Sequence, residues 1–103
     1  MDQVTVLYHH PTDPAAFDSH YAQTHAPLAA KIPGLRRYTY SKPAAGPDGA
    51  QPAFHLVAVL DFDDEAAMGA GMGSPEGQAA AADLPNFASG GATMLTGPAT
   101  LAT

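Results

Sequence analysis

The chain has 103 residues, 46% of them apolar and 14% charged, which is enough to bury a core and too apolar for disorder. Ten acidic residues against four basic leave a formal charge of −6, which speaks against a nucleic acid or an anionic membrane as partner. There is no cysteine, so disulfides, iron–sulfur clusters and thiol catalysis are excluded.

Val4 to His9 reads as a strand, with Val4, Val6 and Tyr8 on one face and Thr5, Leu7 and His9 on the other. His10-Pro11 ends it, because Pro11 cannot continue a ladder. Asp13 then offers a helix cap, and Pro14 suits a first helical position. Phe17, Tyr21 and Leu28 fall on one helical stripe, with Thr24 between them. Pro27 interrupts that pattern and predicts a kink or restart beside His25. Pro33-Gly34 is a stop signal.

Leu35 to Lys42 reads as a second strand, with Tyr38 and Tyr40 on one face. Pro43 to Pro52 is rich in proline and glycine and predicts an exposed, mobile hairpin loop. Ala53 to Phe62 alternates Phe54, Leu56, Ala58, Leu60 and Phe62 with His55, Val57, Val59 and Asp61. Both faces are largely apolar, so both should be covered. Asp63-Asp64-Glu65 opens a second helix, which its glycines weaken and Ser74-Pro75 restarts. Ala92 to Leu101 is the last strand, and Gly97-Pro98 suggests a bulge or an edge position.

The order β-α-β-β-α-β, with right-handed crossovers, predicts one α+β domain over 1–103, with a four-stranded antiparallel sheet and the helices on one face. The open face would expose Val57 and Val59, so a homodimer through sheet faces is expected. No basic-then-apolar leader and no span-length apolar run is present, so a soluble cytoplasmic protein is expected.

The stretch HYAQTHAPLAAKIPGLRRYTYS resembles the signature of the EthD family of dimeric α+β barrel proteins. Phe17, Tyr21, His25, Pro27, Leu28, Lys31, Pro33, Gly34, Leu35 and Tyr38 carry the likeness. Asp83-Leu84-Pro85-Asn86-Phe87, followed by Gly90-Gly91, is similar to the family's run into its last strand. The resemblance implies a ferredoxin-like fold and a homodimer. The founding member is associated with bacterial degradation of ethyl tert-butyl ether, in an undefined accessory role. Related barrels include monooxygenases, isomerases and polyketide cyclases or dehydratases.

His25 is the leading catalytic candidate, since an imidazole beside a helix break can act as acid or base near neutral pH, and it matches the family's histidine. The alternative is a structural histidine bonding a carbonyl freed by Pro27. Tyr21, Tyr38, Tyr40 and Tyr8 are candidates for an aromatic substrate pocket, against ordinary core packing. His9 or His10 could reach the same cleft, but not both. His20 and His25 are five apart, which misses the i, i+3 or i, i+4 spacing of a helical metal pair, so no metal is expected. Asp61, Asp63, Asp64 and Glu65 read as a helix-capping cluster. The absence of a phosphate loop or serine elbow leaves cofactor-dependent hydride or phosphoryl transfer without support, and no cofactor is expected. Two functions stay open. One is a cofactor-independent enzyme acting on a small apolar or aromatic carbonyl compound. The other is a non-catalytic accessory protein of a degradation pathway.

Overall fold

The computed structural model describes residues 1–103. Four strands, β1 (Asp2–Tyr8), β2 (Leu35–Ser41), β3 (Leu56–Phe62) and β4 (Ala92–Pro98), form one antiparallel sheet in the order β2-β3-β1-β4. The two central strands have the strongest apolar alternation, and the two edges are the more exposed. Gly97 and Pro98 lie on edge strand β4, where a missing donor costs little. β3 starts three residues later than the pattern suggests, because Pro52 and the turn before it keep the chain off the sheet until His55.

The helices are α1 (Pro14–His20), α2 (Ala26–Ala29), α3 (Glu65–Gly73) and α4 (Pro75–Asp83). Their caps are those the sequence offers: Asp13 accepts from the Ala16 N–H, Asp64 from Ala67 and Ser74 from Gly77. The expected break beside His25 takes a specific form. Residues Tyr21–His25 form a π turn, in which the Ala26 N–H bonds the Tyr21 carbonyl. A proline ring crowds the carbonyl four residues back, and a widened turn just before Pro27 makes room for it without leaving helical dihedrals. The buried stripe is therefore Phe17, Tyr21, His25 and Ala29. Thr24 is exposed and Leu28 only half-buried, contrary to the stripe drawn from ideal helical spacing. The added residue per turn cancels the drift that i+4 steps accumulate on an α-helix.

α3 and α4 are split at Ser74, as the glycines and the second cap predict. Gly71 has its own reason: a Cβ there would lie 2.6 Å from the Pro33 carbonyl oxygen and 2.8 Å from Phe62, so only glycine lets α3 settle on the end of α2 and the sheet. Gly34 turns the chain into β2 at φ +80°.

The core lies between the helices and one sheet face, around Val4, Tyr8, Phe17, Tyr21, Leu60 and Phe62. The other face carries Thr5, Leu7, Val57, Val59 and the exposed Leu95. Of the acidic run, Asp64 alone caps α3. Asp63 forms a two-pronged pair with Arg36 at 2.9 and 2.7 Å, and Asp61 stays in β3, buried, with one oxygen unpartnered. No helix is long and apolar enough to cross a membrane.

Candidate functional site

The π turn and the end of α4 meet over the helix-facing side of the sheet. His25, 5% exposed, places Nδ1 3.0 Å from Oδ2 of Asp83, itself 6% exposed. A carboxylate can only accept, so the imidazole hydrogen sits on Nδ1 and the Nε2 lone pair is free. That lone pair points toward the Tyr8 hydroxyl, 3.4 Å away, a long and weak contact that leaves Nε2 open to a better partner. The reading of His25 as a structural group bonded to a freed backbone carbonyl is not what the geometry gives, since its partners are two side chains.

Three donors converge on Asp83. The His25 Nδ1–H reaches Oδ2, the His20 Nε2–H reaches both oxygens at 2.9 and 3.0 Å, and the Asn86 amide reaches Oδ1 at 3.0 Å. Desolvation pushes the Asp83 carboxyl up, but the bonds from Asn86, His20 and His25 outweigh it and hold the group below its usual range. For His25, burial is the larger influence and pulls the imidazole below its ordinary value, with Asp83 opposing. The ring is thus favoured in its neutral form, with the Asp83 carboxylate held against its Nδ1–H.

Tyr8 is 1% exposed and Tyr21 2%, and the Tyr21 and Tyr38 hydroxyls lie 2.6 Å apart. Burial pushes all three phenols above their ordinary range, so they remain neutral donors. With His25 they line a half-open pocket of about 40 Å³, otherwise walled by apolar groups such as Val6, Leu60, Met72 and Met94. That is room for a few waters at most, so a larger guest requires side chains to move. Met72 and the exposed Met94 are adaptable walls of the kind that can.

The candidate residues separate cleanly. Tyr8, Tyr21, Tyr38 and His25 meet at the cavity. Tyr40 does not line it: although it shares a strand face with Tyr38, it lies farther along edge strand β2, 46% exposed, with its ring centroid 4.8 Å from that of Tyr21. His9 is on the far side of β1, bonded to Thr93 at 2.9 Å and packed on Phe54. His10 turns toward the long loop, where its Nε2–H bonds the Pro52 carbonyl at 2.7 Å. Asp83 was missed as a site residue. Its only signal was membership of the Asp83-to-Phe87 run, because a partner 58 residues from His25 leaves no local pattern. His20 was set aside on its spacing, yet the π turn brings positions five apart to one carboxylate. No group of three or more histidines and carboxylates is arranged to hold a metal ion.

A ferredoxin-like α+β sheet carrying a buried histidine–carboxylate pair over an apolar cavity is the class that fold and site define together. The chain belongs to the EthD family: the EthD domain model matches residues 9–91. It is 50% identical over 95 residues to an uncharacterized 11.0 kDa protein from the thcB-thcC intergenic region of Rhodococcus erythropolis, covering 92% of this chain and 91% of that one. An EthD family protein of Bacillus halodurans superposes with a TM-score of 0.90 at 36% identity, covering 97% of this chain and 99% of that one. SnoaB of Streptomyces nogalater, a cofactor-independent oxygenase, gives 0.65 at 23% identity over 99% and 96% of the two chains. A dimeric ferredoxin-like protein of Thermobifida fusca gives 0.68 at 20% over 92% and 87%. The last two likenesses carry the fold alone.

Proposed function

We propose that the protein binds a small apolar or aromatic carbonyl compound between helices and sheet, and that His25 moves a proton on it without a cofactor. One observation supports this above the rest: a buried imidazole, braced by Asp83 and with Nε2 held only by a long contact to Tyr8, belongs to the lining of an apolar pocket. A carbon next to a carbonyl would lose its proton to Nε2, and the Tyr8 hydroxyl would donate to the enolate oxygen that develops. Water excluded from such a cavity strengthens both interactions. Isomerisation, dehydration and direct oxygenation of a carbanion all begin with that step, and oxygenase chemistry on this fold is an analogy only. The smallness of the cavity favours a second reading, a binding or accessory role in ethyl tert-butyl ether-type degradation.

A thermal-shift screen of aromatic and aliphatic carbonyl compounds separates the two. With a binder in hand, His25→Gln should keep the fold and the binder but lose turnover by about a hundredfold or more. Turnover that survives the change sinks the catalytic reading, and binders without turnover favour the accessory one.

The protein is further proposed to act as a homodimer through its open sheet faces. Leu7, Val57, Val59 and Leu95 give that face an apolar centre that a second copy would cover. Sedimentation at micromolar concentration should give twice the chain mass, and Val59→Lys should give a monomer. A monomeric wild type refutes the assembly.

A further inference from the structure

His20 takes no part in the chemistry proposed above, yet it is built into the site. It is the last residue of α1, its side chain 28% exposed against 6% for His25. Its ring stacks on Phe87 with centroids 5.1 Å apart and planes 19° from parallel. On the outer side it borders a cleft of about 300 Å³ shared with Thr12, Asp13, Asn86 and Ser89. On the inner side its Nε2 lies 3.0 Å from the same Asp83 oxygen that takes the His25 Nδ1–H. Two imidazoles, one partly exposed and one buried, thus share one carboxylate.

We propose that His20 is a positioning residue for His25, acting through Asp83. A neutral His20 orients the carboxylate and leaves its charge to His25. A protonated His20 claims that charge, and His25 becomes the weaker base. The buried imidazole would then follow the pH of the outer cleft, although its own side chain is only 6% exposed.

The other titratable groups around the pair do not supply the same control. Tyr8 from β1 and Tyr21 from the π turn face His25 as neutral phenols, and Tyr38 from β2 lines the same pocket, also neutral, bonded to Tyr21. Asp13 stands at the mouth of the cleft beyond the start of α1, bonded to its own helix. Asp83, from α4, is the one carboxylate that both rings touch. This inference deepens the proton-transfer reading and rests on it for its consequence, but its test needs no substrate.

The test is an NMR titration of the His25 ring nitrogens in wild type, His20→Gln and His20→Arg. Glutamine keeps an amide donor for Asp83 and removes the titration; arginine keeps a charge at every pH. The proton affinity of His25 should be at least about threefold higher in His20→Gln than in His20→Arg, as expected for a unit charge a few ångströms away. Should the arginine variant fail to fold, His20→Lys supplies the fixed charge. An unchanged His25 midpoint in the folded variants overturns the proposal, even if His25 later proves catalytic. If the coupling is found and His25 proves inert, it is the catalytic reading alone that falls.

Discussion

Two histidine–aspartate pairs flank the first helix, and on paper they are alike. On the inner side Asp83 bridges His25 at 3.0 Å and His20 at 2.9 Å. On the outer side Asp18 bridges His55 at 2.8 Å and Lys42 at 2.6 Å. Phe17 separates the clusters, its ring 4.8 Å from His55 and stacked on Tyr21 at 5.9 Å. Donor counts and distances do not distinguish them. Surroundings do: the Asp83 side chain is 7% exposed and the Asp18 side chain 37%. Solvent reaches the Asp18 end of the outer pair and screens it, although the His55 side chain is only 9% exposed, and the pair ties the β2–β3 connection to α1. The inner pair faces an apolar void with one lone pair unspent. A histidine–carboxylate bond becomes a chemical device only when it is desolvated and has somewhere to act.

The largest test of that contrast is removal of each carboxylate. Asp83→Ala strands two imidazole donors near the core and should cost about 3 kcal/mol in urea unfolding. Asp18→Ala removes a screened pair and should cost about 1 kcal/mol or less. Equal losses would erase the distinction.

A smaller effect is expected in the pH dependence of stability. Burial holds folded His25 below its ordinary value, so the unfolded chain takes up a proton first as pH falls. The stability that a neutral His25 permits is complete above the unfolded value of about 6.5 and declines below it. Thermal melting followed from pH 8 to pH 5 should fall, with a shallower slope in His25→Gln. If His55→Gln flattens the slope instead, the wrong pair has been taken as the buried one.

Smallest is the loop. Positions 43–50 can be replaced by an Asn-Gly turn with a stability change under about 1 kcal/mol, because shortening a surface connection alters little entropy. Gln51 and Pro52 should be kept, since the Gln51 amide and the Pro52 carbonyl hold the two ring nitrogens of His10. A differential melting scan decides the matter, and a large loss would mean that the loop supports the outer cluster.

The fold was legible because its signals are local. Alternation in Val4 to Tyr8 and Leu56 to Phe62, caps at Asp13, Asp64 and Ser74, and the stop at Pro33-Gly34 each act within a few residues. Part of the site was legible for the same reason: His25, Tyr21 and Tyr8 sit where a helix break and a strand face put them. Asp83 was not, because no sequence pattern records which helix end will face which turn. Nor was His20, because reading five residues as a mismatch assumes an α-helical turn that Pro27 does not allow. Tyr38 and Tyr40 were indistinguishable by parity, and only their distance along the edge strand separates them.

The placement of β1 between β3 and β4 has a consequence for how the chain is made. Of the four strands, β1 emerges first in synthesis and is one of the two that must be paired on both sides, and each of its partners is made later. One follows only after the first helix and the long loop; the other comes last. Until then β1 offers two open edges and the apolar row Val4, Val6 and Tyr8 to any strand nearby. Such long closures slow the search for the native pairing and lengthen the time in which chains can stick to one another. His25 is made early and Asp83 late, so the His25–Asp83 pair is among the last contacts to form, and a half-finished chain carries the imidazole without its carboxylate.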